Sequence, residues 1–458
     1  MSAQDIFPQL NTPENQNENP AHTMDELWAW IDDRNENLSV SLNAITLEQC
    51  KPWYYDEAEG CIRNEKGSFF KVYGALFKSE DSILSTQPII LQEEIGFLGI
   101  LCKEINGTWH YLMQAKIEPG NVNVVQISPT LQATKSNFTR AHGGNAPEFL
   151  DYFQNMNSED IIVDQIQSEQ SSRFLKKRNR NVICKVRGEV SETKAHRWMT
   201  LRQIKEFMRH DNMVNMDTRT VLSCIPYVLM GQDADVPFQN KDYFYKSAWN
   251  LNRKTLAKIY NYINDYKMFN LAHTELCDIG KLPGWTMNPE GIVCDKKSSF
   301  RVMYCDVSIE GREVTNWKQP LFAAEGKAIF GLFCTNNDGV LEFLVKPKVE
   351  IGCFDGVEIG PTIQKESTEL LNENDIEKLF TKKLTHKENV VADVILSEEG
   401  GRFYQEENRN VIIYIEKDEI KDLPKGYIWS DFGTLNMLTQ VNNCLNIQLR
   451  NLLSLMEV

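Results

Sequence analysis

The sequence predicts an α+β protein built as two tandem copies of one unit. Three observations predict it. Residues 164–181 and 393–410 share nine of eighteen positions (Asp, Ile, Ser, Glu, Arg, Phe, Asn, Arg, Asn) at a shift of 393 − 164 = 229. Residues 112–132 align without a gap on 344–364 at a shift of 344 − 112 = 232, with nine of twenty-one positions identical, among them Lys116/Lys348, Glu118/Glu350, Gly120/Gly352 and Gln132/Gln364. Each half also orders strand-like segments first and helix-like segments later, an α+β signature. Trp53/Trp285, Gln87/Gln319, Gly99/Gly331 and Cys102/Cys334 keep the same shift, and Asn215-x3-Arg219 recurs as Asn446-x3-Arg450. A shift this constant over two hundred positions is a domain-scale duplication, far longer than a solenoid repeat.

The elements follow in chain order. Residues 1–23 are rich in Asn, Gln, Pro and Glu and are expected to form a mobile tail. Order is expected from Met24, where Asp25 and Glu26 fall in the first turn of an amphipathic helix. Strand texture occupies 68–74, 97–102, 109–116 and 122–128, and Asn106-Gly107 marks a hairpin. Helices are expected at 148–153 and 200–208. Residues 231–242 have linker composition, a helix is expected over 247–266, and the order then repeats. The expected domains are 24–236 and 237–458, packed intimately about a pseudo-two-fold axis.

Composition narrows the function. The chain has 458 residues, 42% hydrophobic and 25% charged, and a net charge of −15. So acidic a protein lacks the basic field that nucleic acid requires. Eleven cysteines, an odd number without a C-x-x-C pair, point to reduced thiols and a cytoplasmic location. No run of eighteen apolar residues is present, so no membrane span is expected, and the acidic start does not read as a signal peptide. There is no metal spacing among the seven histidines, no P-loop, no G-x-S-x-G elbow and no dinucleotide fingerprint.

A polar pattern repeated at domain spacing is not what a core needs, because cores repeat apolar residues. Lys116 and Glu118 stand two apart on a strand and share a face, offering a cation and a carboxylate to one ligand. Gln126 to Asn137, including Gln132 and Lys135, is dense in amides and hydroxyls suited to sugar or phosphate oxygens. The strip with Glu169, Arg173, Arg178, Asn179 and Arg180 carries five cations in the eight residues 173–180, and its copy over 402–409 carries two. Guanidinium forks pair with phosphate oxygens, so this half is the candidate diphosphate site. His142 lies in a Gly-rich loop without a counterpart, a setting that suits acid–base work. Asn215 and Arg219 belong to the repeated motif, and Trp53 could stack a base.

The runs QPII, LMQAKIEPGN, QISPTLQAT, DQIQSEQSSRF, KRNRN and VNMDTRTVLS resemble those of the NDP-hexose 2,3-dehydratases of deoxysugar biosynthesis, over about residues 24–458. The resemblance implies two Nudix-like domains, a homodimer, one degenerate pocket and a nucleotide-diphosphate sugar substrate, usually dTDP-4-keto-6-deoxy-D-glucose. It implies loss of the C2 hydroxyl as water after C3 proton abstraction, without redox cofactor or obligatory metal. A downstream ketoreductase or aminotransferase would consume the diketo product. Gln92-Glu-Glu-Ile-Gly-Phe97 resembles the tail of the Nudix box, but Ile89-Ile90 replace its Arg-Glu and the second half has Ala324-Glu-Gly-Lys. That departure implies fold kinship without hydrolase chemistry. His142, Glu118, Lys116 and Glu169 are then the acid–base candidates. Arg173, Arg178, Arg180 and Arg219 would hold diphosphate or enolate, and Gln132, Asn137, Asn179 and Asn215 the sugar. A nucleotide-sugar diphosphate hydrolase and a non-catalytic sugar-nucleotide sensor stay open as alternatives.

Overall fold

A computed structural model of the chain describes residues 19–67, 69–138, 147–230, 244–310 and 315–456. Each half opens with an amphipathic helix, Met24–Asn37 and Arg253–Phe269, whose buried stripes are Leu27, Trp30, Ile31 and Ile259, Ile263. Thr23 and Glu26 close a capping box on the first helix, so its start is specified locally. The second begins later than expected because Asn252 caps it and a short helix, Phe244–Ala248, precedes it. Residues 19–23 are tied down. The Ala21 amide donates to His110 Nε2 at 2.9 Å, and His22 meets Glu192 at 2.7 Å, so the tail of the expectation stops short of them.

Both halves then build a small sheet and a seven-stranded mixed sheet. In the first half the large sheet runs Ile161–Ser168, Arg178–Lys185, Gly96–Ile105, Thr108–Ile117, His196–Thr200. In the second it contains Val390–Ser397, Glu407–Tyr414, Ala328–Asn337, Val340–Lys348 and Ile428–Asp431 in the matching places. Each has one parallel pairing, Gly99 opposite Val182 and Gly331 opposite Val411. The hairpin at Asn106-Gly107 forms, with φ of 53° and 78°, the left-handed pair that its turn demands. Gln92–Ile95 is a short connector between the strands Ser82–Leu91 and Gly96–Ile105.

The small sheets exchange strands. Val40–Ile45 pairs antiparallel with Phe300–Ile309 of the second half, and His273–Cys277 pairs with Lys71–Ser79 of the first. The Trp53 indole donates across to the Lys318 carbonyl at 2.7 Å, and Trp285 answers to the Thr86 carbonyl at 3.0 Å. One continuous core takes in Ile100, Ile127 and Phe207 of one half and Phe330, Phe343 and Leu435 of the other. The halves are one folding unit with a pseudo-two-fold axis, not two beads.

Helices Met216–Ser223 and Ile447–Ser454 pack against each other near that axis. Arg219 and Arg450 are fully buried there, and each spans the boundary. Arg219 donates to the Val214 carbonyl and, at 2.8 Å, to the Ser397 carbonyl. Arg450 donates to the Leu445 carbonyl at 3.2 Å and to the Ser168 carbonyl. A buried guanidinium persists only where donors find acceptors. Lys205 is also enclosed on the boundary, its ammonium donating to the Ser454 carbonyl, while Asn436 donates its amide to Ile225 at 2.8 Å.

The repeated turns meet the repeated strips. The Gly120 amide donates to the Gly400 carbonyl at 2.7 Å, and Gln405 donates back to the Gly120 carbonyl at 2.8 Å. Gly352 does the same with Ser171 and Lys176, both at 2.8 Å. A Cβ at Gly120 would lie 1.6 Å from the Phe403 carbonyl oxygen, and one at Gly352 1.8 Å from that of Phe174. Gly120→Ala and Gly352→Ala are each expected to destabilise the chain by roughly 3 kcal/mol, since such overpacking can only be relieved by backbone movement; chemical denaturation would show a wild-type midpoint if the contact were slack.

Burial pushes the Lys205 ammonium down to about 7. Its folded pKa is below the unfolded one, so the unfolded chain binds more protons above pH 7 and stability rises with pH toward the ordinary lysine range. Lys205→Met is expected to raise stability at pH 7 and remove about 1.4 kcal/mol per pH unit of that slope, measured by denaturation between pH 7 and 10.

Candidate active site

The strand Thr108–Ile117 runs into the Glu118-Pro-Gly-Asn121 turn, which the other half clamps. This fixes Lys116 and Glu118 against the loop at Gly400 of the other repeat. The Lys116 ammonium is 3.5 Å from Glu118 Oε1. The Gln132 amide donates to the same oxygen at 3.1 Å, and the Gly400 amide donates to Oε2 at 3.2 Å. Gln132 is oriented by Asn215, whose Nδ2 donates to Gln132 Oε1 at 3.3 Å and Ser128 Oγ at 2.7 Å. Asn215 Oδ1 meanwhile accepts the Thr218 amide at 2.9 Å and caps Met216–Ser223. One side chain starts the helix and aims the site.

That helix carries Asp217 in its first turn, 3% exposed. Burial, then the charges of Glu169, Glu399 and Glu118, push its carboxyl well above the usual range. Glu169, 5% exposed, accepts the Asn179 amide. Burial raises it, opposed first by Lys177. Lys177 donates to the Glu94 carbonyl, and burial lowers its ammonium to about 8. Glu399 comes from the second half. Burial and the neighbouring Glu118 raise it to about 7. Four carboxylates therefore face two lysines and Arg402 in one place. Of these, Glu399 and Lys177 lie where a group can take up and release protons near neutrality.

The expected residues divide. Lys116, Glu118, Gln132, Glu169, Asn179 and Asn215 come together. Lys135 is exposed on the short helix Lys135–Phe138. His142, Arg140 and the side chain of Asn137 lie outside the described residues. Arg173, Arg178, Arg180, Arg219 and Trp53 are engaged elsewhere. Arg173 crosses to the second half, where it meets Glu366 at 3.0 Å and Glu406 at 3.9 Å and stacks 4.2 Å from the Phe300 ring centre. The cause is the clamp, which sends each strip into the other repeat. Arg178 stacks over Phe354 at 3.8 Å. Arg180 forks onto Asp164 at 2.7 and 2.6 Å across neighbouring strands, as Arg409 does onto Asp393. Arg219 is spent on carbonyls in the core. Trp53, 2% exposed, packs on Phe70 with no free ring face.

Reading single segments missed Lys177, Asp217, Glu399 and Arg402. A signal existed. At the aligned positions Lys177/Glu406, Asp217/Gln448 and Gln170/Glu399 the copies differ in charge.

The mirrored pocket shows what those differences do. Gln364 donates to Glu350 at 2.9 Å, Asn446 to Gln364 at 2.8 Å and Asn408 to Glu398 at 2.6 Å, so the scaffold is retained. Gln170 donates to Glu406 at 3.1 Å, and Arg173 is neutralised by its two carboxylates. In the first pocket Thr134 stands where Glu366 would. Among the described residues Arg402 has no ion pair. It stacks 4.4 Å from the Phe70 ring centre and donates to the Gly401 carbonyl at 2.9 Å.

Comparison with known proteins shows the family. The family model for NDP-hexose 2,3-dehydratase matches residues 24–225 and again 256–456, the two halves of the fold. A dTDP-4-dehydro-6-deoxy-alpha-D-glucopyranose 2,3-dehydratase of Saccharopolyspora spinosa is 36% identical over 438 residues, 94% of this chain and 90% of that one. Proteins of the same name from Streptomyces violaceoruber and Amycolatopsis orientalis are 34% and 33% identical, covering 93% and 94% of this chain and 95% and 89% of theirs. Matched in both repeats and along nearly all of its length, the chain belongs to the NDP-hexose 2,3-dehydratase family and is a dehydratase.

Proposed function

We propose that this enzyme dehydrates dTDP-4-keto-6-deoxy-D-glucose, or a closely related nucleotide sugar, in the first-half pocket. The substrate reading is supported by the relatives' names. The observation that carries the choice of pocket is the set of charge differences between two like scaffolds, among them Lys177/Glu406, Asp217/Gln448, Glu399/Gln170 and Thr134/Glu366.

The C4 ketone acidifies the C3 proton. A base takes that proton, and the electron pair is held as an enolate at the C4 oxygen. The pair then returns to form the C2–C3 double bond as the C2 hydroxyl leaves, protonated to water by an acid. The enol tautomerises to the 3,4-diketo-2,6-dideoxy sugar. The sequence is redox-neutral and balances as loss of one water. Glu118 and Glu169 are the proton-transfer groups on the first repeat, with Lys116 beside the developing negative charge. Gln132 and Asn179 hold the sugar hydroxyls, and Asn215 orients Gln132. His142 is kept as an acid–base candidate on its sequence setting. Lys135 and Arg178 are the remaining candidate diphosphate contacts.

The wider setting belongs to the same proposal. All eleven cysteines are free, which supports a reducing cytoplasm. Leu271, Met268 and Phe269 are 64%, 73% and 73% exposed, with Ile83 and Leu84 at 50% and 56% on the sheet that His273–Cys277 joins. That apolar surface supports a homodimer. The unstable diketo product calls for a ketoreductase or aminotransferase next.

The test is mass spectrometry of dTDP-4-keto-6-deoxyglucose incubated with enzyme in deuterated water. Loss of one water with deuterium uptake at C2 is expected. Glu118→Gln is expected to slow turnover at least ~100-fold and the mirrored Glu350→Gln by no more than a few-fold. The opposite ranking would move the chemistry to the second pocket, and release of a sugar phosphate would replace dehydration with diphosphate hydrolysis.

A further inference from the structure

The loop that closes the first pocket comes from the other repeat, and it brings side chains as well as backbone. The Gly400 amide touches Glu118 Oε2, and the Gly400 carbonyl accepts the Gly120 amide. A Cβ at Gly400 would lie 2.3 Å from Asn121 Oδ1 and 3.0 Å from Glu118 Cβ. The loop backbone therefore lies directly on the Glu118 turn, and the residues flanking Gly400 have fixed positions beside it. Glu399 is the nearer flank. Its Oε1 accepts the Gly401 amide at 2.8 Å, which holds the carboxyl at the loop rather than in solvent. Glu118, Glu169 and Asp217 are all 5% exposed or less, whereas Glu399 keeps partial access to solvent. It is the carboxyl of the set with the most access from outside. Arg402, three residues on, stacks on Phe70 and makes no ion pair among the described residues.

The mirrored loop is the control that the fold supplies. It lies the same way on the Gly352 turn, but Gln170 replaces Glu399, and Arg173 is already paired with Glu366 and Glu406. One loop geometry thus delivers an acid and an open cation to one pocket, and an amide and a satisfied cation to the other.

We propose that the first-half site is composite, with Glu399 of the second repeat acting as the general acid that protonates the departing C2 hydroxyl and Arg402 binding the substrate's negative charge. This rests on dehydration occurring in the first pocket. In the acid step the Glu399 O–H bond breaks and its proton joins the C2 oxygen. The C2–O bond breaks with its electron pair going to oxygen, and water and the Glu399 carboxylate result. The proton removed from C3 stays with the separate base, and the carboxylate regains a proton from solvent through its open side. The charged groups facing Glu399 are Lys116 and Glu118 at the turn, Glu169 and Lys177 on the first strip, Asp217 on the helix, and Arg402 on its own loop. The carboxylates keep the proton on Glu399, and the cations stabilise the product carboxylate. Its position near neutrality suits a group that must give and regain a proton each turnover.

The test uses the full-length enzyme with two substrates, dTDP-4-keto-6-deoxyglucose and its 2-deoxy-2-fluoro analogue, whose fluoride leaves without an acid. Glu399→Gln is isosteric and is expected to lower kcat ~100-fold or more on the natural substrate, with KM little changed and the pH limb near 7 lost. On the fluoro analogue the same variant is expected to work within a few-fold of wild type, a rescue that a merely structural role would not give. Arg402→Gln is expected to raise KM ~10-fold or more, while Arg173→Gln leaves KM unchanged as long as its melting temperature is wild type. Wild-type kcat and pH profile in Glu399→Gln, with Glu118→Gln inactive, would overturn the composite site and leave the first pocket standing. Equal losses on both substrates would overturn the acid role. If Glu350→Gln alone abolished turnover, the pocket assignment beneath the proposal would fail instead.

Discussion

Two backbone clamps hold this molecule in register. Gly120 against Gly400, and Gly352 against Ser171, fix where each strip lies, and the strips carry most of the polar side chains of both pockets. Each clamp needs a glycine because the facing carbonyl occupies the place of a Cβ. The exchanged strands, the crossing indoles and the buried arginines reinforce the same boundary. The pockets therefore depend on cross-repeat contacts, and neither half contains a whole one.

Duplication gives a symmetric frame, and a few substitutions make it unequal. The Asn–Gln–Glu relay is present twice with nearly the same distances. What differs is charge at Lys177/Glu406, Asp217/Gln448 and Glu399/Gln170, together with Thr134/Glu366. In the second pocket the cation is consumed by the protein's own carboxylates, so a ligand would have to break that pairing in a low-dielectric place, where it is costly. In the first, burial raises Asp217, Glu169 and Glu399, and Arg402 makes no ion pair among the described residues. Burial raises carboxyls in both pockets, and what separates them is the pairing of the loop arginine: Arg173 meets two carboxylates, while Arg402 makes no ion pair among the described residues.

Much of this was legible in the chain. The constant shift foretold two like units, Asn106-Gly107 foretold its turn, and the alternation around Lys116 and Glu118 placed both on one face. Gln132 and Asn215 were singled out by their repetition, and the relay they form is seen only in the fold. What local spacing could not show was contact across the boundary. Glu118 and Gly400 are 282 residues apart, so nothing near either announces the other. Arg173 therefore looked like a diphosphate or enolate contact of its own half, when the clamp sends it to Glu366. Arg219 looked like a ligand contact because a repeated arginine in a polar motif reads that way, and its task proves to be holding carbonyls inside the core. Trp53 follows the same logic, its polar edge satisfied by a carbonyl of the other half.

The central claim is that the two repeats make one catalytic unit. Expressing residues 19–230 and 244–456 separately, and then together, tests it most directly, with water loss from dTDP-4-keto-6-deoxyglucose as the readout. The account predicts no dehydration from either piece alone and recovery when both are co-expressed. A first piece that folds alone and dehydrates at the rate of the intact chain would contradict it.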